Sequence, residues 1–246
     1  MRRVLVFGAT SAIAAALCRR WAARGDRLHL IGRDPEKLAA VAEACGGAVT
    51  TEAADLEDVA RASARVEAGL AALGGAADLV LIAHGDIGDQ LLSERDLAEA
   101  ERIVRVNFTS AVALLIPIAE HLERRRSGQI AVLGSVAGER GRPRNYTYGA
   151  SKGALRLYLQ GLRSRLEPAG VRVTTVRLGP VDTPMTATHP KNAFFASLER
   201  AARDADRAIA RGAREPFVPW FWRPIMAFVR SAPEALFQRL RALSGR

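Results

Sequence analysis

Strand-like and helix-like segments alternate along most of the chain. Short, mostly apolar runs bounded by turn residues predict buried strands, whereas longer segments with apolar positions every three to four residues predict amphipathic helices. The alternation predicts an α/β fold, in which a doubly wound parallel sheet carries helices on both faces. The predicted strands occupy residues 2–7, 27–31, 49–53, 78–83, 129–134 and 171–178, with an edge strand at 215–219.

The last third of the chain has a looser pattern. Residues 1–213 predict a single domain whose part 184–213 covers the substrate as a loop and helix, and residues 214–246 predict the edge strand and an amphipathic extension. From Arg214 onward, six arginines and two glutamates are interleaved with tryptophan, phenylalanine and leucine. Basic residues with aromatic anchors favour contact with an anionic membrane surface. Packing on its own domain or on a partner subunit is the equal alternative for this extension.

Composition narrows the expected location and partners. Two cysteines do not make a disulfide framework, so we expect a cytoplasmic protein. A cytoplasmic protein that also contacts the inner face of the cell membrane is a second possibility. Apolar stretches such as 111–119 are shorter than the about 20 residues of a membrane-spanning helix. The net charge of +10 comes almost entirely from arginine. Because zinc-finger spacings and RNA-binding aromatic motifs are absent from the sequence, we expect neither a nucleic-acid partner nor a metal.

The first predicted strand leads into a loop of small residues and then into a helix. Small residues at such a turn let the backbone approach a pyrophosphate, toward which the first N–H groups of the helix then point. This arrangement predicts a Rossmann-type sheet. We expect the loop to bind a dinucleotide through Gly8, Thr10, Ser11, Ala12 and Ile13.

A hydroxyl, a phenol and an ammonium group lie close together in the second half of the sequence. Tyr148 and Lys152 are four residues apart in a predicted helix, so both side chains point from one helical face. We expect the neighbouring cation to lower the pKa of the phenol from its usual value near ~10 and to tune it for proton transfer. Ser135 ends a predicted strand, where open α/β sheets place ligands.

These three residues, Asn107 and the glycine-containing first loop resemble the short-chain dehydrogenase/reductase family over residues 2–183. The resemblance implies an enzyme with a catalytic tetrad of Ser135, Tyr148, Lys152 and Asn107, in which Asn107 holds a water that connects Lys152 to solvent. Alanines replace the two later glycines of the family's Gly-x-x-x-Gly-x-Gly loop, a departure that still leaves a loop of small residues.

The resemblance also implies a nicotinamide cofactor. Gly32 followed by Arg33 suits the 2′-phosphate of NADP(H), whereas Asp34 lies one position beyond the carboxylate that suits NAD(H). NADP(H) is the preferred prediction, and NAD(H) stays open. Asp55 is expected at the adenine, although it would equally cap a helix that starts at Glu57. The other contacts that the family implies are Leu56 at the adenine, Ala83, His84 and Gly85 near the adenosine ribose, Tyr148 and Lys152 at the cofactor ribose, and Gly179, Val181 and Thr183 at the nicotinamide.

Members of this family form dimers or tetramers, usually through the helix that carries Asn107 and the helix that carries Tyr148. We therefore expect a homo-oligomer. Four apolar residues on these helices suit either the interface or the core: Leu114, Leu115, Leu155 and Leu159.

The runs 8–11, 83–89 and 137–148 and the C-terminal extension are together similar to the decaprenylphosphoryl-2-keto-ribose reductases. That resemblance implies reduction of the 2-keto group of a polyprenyl-phosphate-linked pentose in the making of an arabinose donor, and a flavin-dependent oxidase as partner. Arg140 and Arg144 are then candidate ligands of the substrate phosphate, because guanidinium groups bind phosphate oxygens in a bidentate manner. A solvated loop is the alternative for these arginines.

Two other functions stay open at the level of sequence. The basic surface also suits a reductase of soluble ketones or of 3-oxoacyl chains on an acidic carrier protein. The alanines in the first loop also suit a protein that binds a dinucleotide as a sensor or scaffold and does not turn over a substrate.

Overall fold

A parallel sheet of seven strands forms the centre of the molecule. The computed structural model describes residues 1–187 and 191–239. The strands are β1 Arg3–Phe7, β2 Arg27–Gly32, β3 Val49–Ala53, β4 Leu79–Ile82, β5 Gln129–Ser135, β6 Arg172–Leu178 and β7 Phe217–Val218. They lie in the order β3-β2-β1-β4-β5-β6-β7, and each neighbouring pair is parallel. The predicted doubly wound sheet and its edge strand are confirmed.

Helices cover both faces of the sheet. Their bounds are α1 Ala12–Ala22, α2 Pro35–Cys45, α3 Ala62–Ala72, α4 Gln90–Ser93, α5 Leu97–Val104, α6 Ser110–Arg125, α7 Tyr146–Leu166, α8 Leu198–Ala210, α9 Trp222–Ser231 and α10 Glu234–Arg239. Alternate strand residues supply the two layers of core, since successive side chains point to opposite faces. Val4 and Val6 pack with α1, α2 and α8, whereas Leu5 and Phe7 pack with α3, α6 and α7.

The carboxyl ends of the central strands meet at one edge of the sheet. Between β1 and β4 the strand order reverses its direction, and open α/β sheets bind ligands at such a switch point. The loops after β1, β4 and β6 begin at Gly8, Ala83 and Gly179, and β5 ends at Ser135. The topology therefore brings the predicted cofactor loops and the predicted catalytic serine to the same edge.

A continuous helical run carries Asn107. It consists of α5, a π-helical turn at Arg105–Thr109 and α6. Asp96 caps α5 by accepting a backbone N–H of its first turn, and the shorter helix α4 ends just before it at Ser93. The run Leu97–Arg125 is long and apolar enough to cross a membrane, but half of its apolar stretch is buried inside the fold.

Packing decides two further expectations. The four leucines that suited either an interface or the core all lie in the core, since at most 2% of the surface of each is exposed. On the same two helices, Ile116 and Leu157 are exposed over 56% and 70% of their surfaces. Helix α8, which belongs to the predicted substrate cover, packs on α1, where Asp206 accepts a hydrogen bond from Trp21 at 2.9 Å, and its predicted role at the substrate stays a prediction. Residues 188–190 of the predicted cover and 240–246 of the predicted extension lie outside the described residues.

Candidate active site

Ser135, Tyr148 and Lys152 come together because α7 lies very close to the loop that follows β5. A Cβ atom on Gly138 would be 2.7 Å from the backbone nitrogen of Gly153, and a Cβ atom on Gly149 would be 2.9 Å from the carbonyl oxygen of Ala137. Side chains at these glycines would push the helix away. The predicted proximity of the serine and the phenol therefore depends on small residues that the catalytic motif does not include.

The hydroxyl of Ser135 has one hydrogen-bonding role already filled. Its Oγ accepts the backbone N–H of Ala137 at 3.1 Å, which fixes its position and leaves its proton free to donate. Burial raises the pKa of the Tyr148 phenol, and the hydrogen bond between this phenol and the Ser135 hydroxyl opposes part of that rise. Two hydroxyl donors thus lie side by side at the end of β5.

Burial, not the lysine, dominates the titration of the phenol. Burial raises the pKa of Tyr148 to about 12, against the smaller opposing effect of Ser135. The expectation that Lys152 lowers this pKa is wrong for the protein without cofactor; the Lys152 Nζ lies 5.6 Å from the centre of the phenol ring. Burial also lowers the pKa of Lys152 to about 8. The phenol is therefore protonated at neutral pH, as an acid must be.

Asn107 holds the loop after β4 against Lys152. Its Nδ2 donates to the carbonyl oxygens of Asp86 at 2.6 Å and Ile103 at 2.9 Å, and its Oδ1 accepts the N–H of Asp86 at 3.1 Å. A Cβ atom on Gly85 would lie 2.7 Å from this Oδ1 and 2.9 Å from the Nζ of Lys152. Asn107 therefore positions the loop beside the ammonium group, and its predicted role in holding a water stays a prediction.

His84 is a neutral, half-buried member of the cofactor loop. Its Nε2 lies 2.8 Å from the Oγ of Ser110, and this hydroxyl donates to the carbonyl oxygen of Val106 at 2.7 Å. The histidine must then carry its proton on Nε2, so its buried Nδ1 is an acceptor without a partner among the described residues. Burial, with a smaller effect of Lys152, lowers the pKa of His84 to about 3.

A cleft of about 560 Å³ runs along the predicted cofactor loops. Gly8 adopts a φ of +82°, and a Cβ atom there would lie 2.5 Å from the backbone nitrogen of His84. Predicted residues that line the cleft are Gly8, Thr10, Ser11, Ala12, Ile13, Arg33, Asp55, Leu56, Ala83, His84, Gly85 and Thr183. Gly32 and Asp34, on which the prediction of the cofactor depended, line it as well, and the lining residues that were not predicted are Lys37, Glu57, Asp86, Arg102, Val106, Pro184 and Met185.

The end of β2 has no room and no free carboxylate for an NAD-type contact. A Cβ atom on Gly32 would lie 3.1 Å from the Cγ2 of Thr10, so a larger side chain there would have to displace the threonine. The carboxylate of Asp34 caps α2 by accepting the N–H of Lys37 at 3.0 Å and pairs with its ammonium at 3.1 Å. Arg33 projects from the rim of the cleft with 75% of its side chain exposed.

Asp55 contributes to a turn and does not cap a helix that starts at Glu57. Its Oδ1 accepts the N–H of Glu57 at 3.0 Å, but the chain becomes helical only at Val59, through a 3₁₀ turn that leads into α3. The helical start predicted at Glu57 is therefore wrong. Both residues line the cleft, so the predicted adenine contact of Asp55 stays a prediction.

Two predicted cofactor residues lie behind the cleft. Val181 is buried and pairs with Ala196. Gly179 lies under the indole of Trp222, since a Cβ atom on Gly179 would come within 2.0 Å of its Nε1. Sequence reasoning did not connect Trp222 with this loop, because more than 40 residues of chain separate them.

The C-terminal segment, defined as residues 220–239, packs against the loop after Ser135. The inner sides of α9 and α10 place four side chains in one cluster with Val136, which follows the serine directly; these are Trp222, Met226, Val229 and Phe237. Packing on its own domain, one of the two alternatives for this extension, is what the structure shows for this side. Trp220 and Phe228 point outward, with 71% and 58% of their surfaces exposed.

Arg140 holds the C-terminal segment in place. Its guanidinium donates to the carbonyl oxygens of Val229 at 2.6 Å and Ala232 at 2.5 Å and to the carboxylate of Glu234 at 2.6 Å. It also lies 4.0 Å from the centre of the Phe237 ring. These contacts give Arg140 a structural role in place of the predicted phosphate contact. Arg144 is exposed on the same loop, and its predicted phosphate contact stays a prediction.

The groups around the cleft fit a dinucleotide. The close approach at Gly8 shapes the backbone for phosphate oxygens, the buried Nδ1 of His84 requires a donor, and the buried Lys152 has no ion-pair partner among the described residues. A family model described as short chain dehydrogenase matches residues 2–193. The chain belongs to the short-chain dehydrogenase family.

Individual relatives agree with this assignment over most of the chain. An uncharacterized oxidoreductase of Streptomyces coelicolor is 37% identical over 245 residues, which are 97% of this chain and 96% of the relative. Sulfoacetaldehyde reductase 2 of Chromohalobacter salexigens is 32% identical over 186 residues, 74% of each chain. A short-chain dehydrogenase of Burkholderia cenocepacia, solved in complex with NADP, has the same fold, with a TM-score of 0.83, 23% identity and 97% coverage of both chains.

This short-chain dehydrogenase is therefore an NAD(P)-dependent oxidoreductase. Its cleft ends near a site where two hydroxyls and an ammonium group lie together, and two adjacent hydroxyls can donate hydrogen bonds to one oxygen atom. Such an arrangement stabilises negative charge that develops on a carbonyl oxygen. It also provides a proton for that oxygen, since the phenol is protonated at neutral pH.

Proposed function

We propose that this enzyme reduces a ketone to a secondary alcohol with NADP(H). The observation that carries the proposal is the Ser135 and Tyr148 hydroxyl pair, held beside Lys152 at the carboxyl edge of the sheet. Bound NADPH supplies the hydride. Tyr148 protonates the carbonyl oxygen of the substrate as negative charge develops on it, and Ser135 donates a hydrogen bond to the same oxygen.

Lys152 and Asn107 support this proton transfer. The ammonium group of buried Lys152 would hold the ribose hydroxyls of the cofactor by donating hydrogen bonds to them. Asn107 fixes the loop at Gly85 and Asp86, so that the ammonium stays at the end of the cleft. A water at this point returns a proton from solvent to the site after each turnover.

NADP(H) is the proposed cofactor in preference to NAD(H). NAD is usually recognised by an acidic side chain that accepts hydrogen bonds from the ribose 2′-hydroxyl. At Gly32 there is little space for such a side chain, and the carboxylate of Asp34 is already bonded to Lys37. Arg33 is free to turn toward a 2′-phosphate, since its ion pair with Glu57 is long, at 3.6 Å, and mostly exposed. The NADP bound to the Burkholderia cenocepacia relative supports the same choice.

The proposed substrate is the 2-keto group of a polyprenyl-phosphate-linked pentose. The outward-facing Trp220 and Phe228, with Arg223 and Arg230 exposed beside them, provide an apolar and basic surface for a prenyl chain at the inner face of the membrane. A flavin-dependent oxidase would supply the ketone. The second candidate is a soluble carbonyl compound, which the sulfoacetaldehyde reductase among the relatives favours.

We further propose a homo-oligomer that forms through α6 and α7. Ile116 and Leu157 expose large apolar surfaces on these helices, and association would remove them from water. Light scattering during size-exclusion chromatography would show a dimer or tetramer for the native chain. A monomer in which Ile116→Asp and Leu157→Asp change nothing would contradict this interface.

The test of function is cofactor consumption by the purified protein. NADPH and NADH would be compared with a polyprenyl-phosphate 2-keto-pentose in detergent and with a panel of soluble ketones. We expect NADPH turnover with the lipid-linked ketone, and a loss of about 10²- to 10⁴-fold in kcat for Tyr148→Phe with unchanged NADPH affinity. Turnover of soluble ketones alone would select the second candidate. Cofactor binding without turnover of any carbonyl would indicate a sensor.

A further inference from the structure

Three arginines lie on the loop between Ser135 and Tyr148, and their surroundings differ. Arg140 is fully occupied by the C-terminal segment. Arg144 is exposed to solvent. Arg142 is half-buried, and its Nε is fully buried without a hydrogen-bond partner among the described residues. Only Arg142 therefore combines burial with an unused donor.

The side chain of Arg142 also lacks a counter-charge. Its nearest polar contact is the sulfur of Met226, 4.0 Å from Nη2, and no carboxylate in the described part of the chain pairs with it. Elsewhere the chain pairs its buried arginines: Arg65 lies 3.2 Å from Asp58, and Arg177 lies 3.2 Å from Glu139. Burial lowers the pKa of Arg142, as expected for a cation without an anion nearby.

Arg142 contacts the cluster of side chains that packs against the loop after Ser135. Its contact Met226 belongs to the cluster that contains Val136, the residue after Ser135. One helical turn before Met226, the buried Nε1 of Trp222 is a second donor without an acceptor among the described residues. Trp222 covers Gly179 in the loop after β6. Two unused donors thus flank the face of α9 that is turned toward the site.

We propose that Arg142 binds an oxoanion group of the substrate, a phosphate, carboxylate or sulfonate a few atoms from the reacting carbonyl. This inference rests on the proposed ketone reduction and specifies its substrate class. A buried cation without a partner is costly, and an anion with several oxygens would satisfy its forked donors. The same chemistry occurs in a lipid-linked sugar phosphate and in a small soluble acid, so the experiment separates these sources.

The experiment measures kcat/KM for carbonyl pairs that differ only in charge. The keto acid 4-oxopentanoate and its methyl ester form the soluble pair; the polyprenyl-phosphate 2-keto-pentose and the polyprenyl glycoside of the same sugar without the phosphate form the lipid pair. We expect Arg142→Gln to lower kcat/KM about 10- to 100-fold for the charged member of the pair that the enzyme accepts. The neutral member should change less than twofold, and Arg142→Lys should restore part of the loss. Arg144→Gln is the matched control, with no discrimination expected.

A binding measurement keeps this inference separate from the proposed function. Sulfate and inorganic phosphate at constant ionic strength should raise the Tm of the native protein with NADP present, and Arg142→Gln should remove that rise. Equal losses on charged and neutral carbonyls, or an anion response that survives in Arg142→Gln, would overturn the anion site. A native protein that reduces no carbonyl but shows the Arg142-dependent response would contradict the proposed reduction and leave the anion site standing.

Discussion

The cofactor half and the substrate half of this molecule are built in different ways. Around the cofactor cleft, backbone positions fix the shape, as at Gly8, where the next loop lies within 2.5 Å of any added Cβ atom. Beyond Ser135, long side chains hold the C-terminal segment, as at Arg140, which donates to two carbonyl oxygens and a carboxylate. The cofactor half therefore tolerates little change in its backbone. In the substrate half, single side chains can be replaced without moving the backbone of the sheet.

This difference has a consequence for function. A dinucleotide presents the same phosphates and riboses to every member of the family, so a cleft shaped by backbone suits all of them. A substrate pocket made by a C-terminal segment can change its specificity without disturbing the sheet. The two halves meet at Gly179, which forms part of the cofactor loop and lies under Trp222 of the C-terminal segment.

The largest effect is expected at Gly8. Gly8→Ala should lower the free energy of unfolding by about 2–4 kcal/mol more than Gly25→Ala and should weaken NADPH binding severely. Gly25 is a matched control because its φ of +81° equals that of Gly8 within one degree, but no atom lies within 4 Å of its added Cβ. Urea unfolding and NADPH titration would measure both effects. Equal losses in the two variants would mean that backbone strain alone, without the close approach to His84, explains the glycine.

The next largest effect is expected in the other half, at Arg140. Arg140→Ala would leave two carbonyl oxygens and Glu234 without their donor and should cost about 2–3 kcal/mol. Because the segment it holds packs against Val136, next to Ser135, the variant should raise KM for the carbonyl compound and leave the affinity for NADPH unchanged. Limited proteolysis within residues 220–239 should become faster. An equal change in Arg144→Ala, whose side chain is exposed, would contradict the role assigned to Arg140.

The cofactor half was the more predictable from sequence, for a physical reason. Glycine and other small residues directly after a strand indicate where the backbone must turn tightly or approach another group closely. Such residues can be recognised from a short stretch of sequence, as at Gly8 and at Gly32 beside Arg33. The catalytic pair Tyr148 and Lys152 is also local, since one turn of helix separates them. The position of Ser135 at the end of a strand followed from a local signal as well, the apolar run that precedes it.

Contacts between distant segments could not be predicted in this way. The partners of Arg140 are about 90 residues away in sequence, and nothing near the arginine indicates them. The titration of Tyr148 was predicted wrongly, because burial is a property of the whole fold and here outweighs the adjacent charge. One missed feature did have a local signal: Gly149 and Gly153 lie four residues apart on α7, and such spacing indicates a close approach by another backbone.

A pH-dependent effect tests how tightly the cofactor loop is enclosed. The pKa of His84 is lowered to about 3, whereas an exposed histidine titrates near ~6.5. As the pH falls through this window, the unfolded chain takes up a proton and the folded chain does not, so stability falls by about 1.4 kcal/mol per pH unit. Between pH 7 and pH 5, His84→Asn should lose about 2 kcal/mol less than the native protein in urea unfolding. Parallel pH profiles would show that the histidine is protonated in the folded chain.

The smallest effect is expected at Arg33, a predicted cofactor contact whose side chain is largely exposed. Arg33→Ala should raise the KM for NADPH about tenfold, roughly 1.4 kcal/mol, and leave that for NADH within twofold, because only NADPH carries the 2′-phosphate. Arg124→Ala is the matched control, since Arg124 is similarly exposed, at 71% against 75%, and also pairs with a glutamate. Steady-state kinetics with both cofactors would decide. A loss shared equally by NADPH and NADH would assign the discrimination to the cramped space at Gly32 and the occupied carboxylate of Asp34, and so to the backbone.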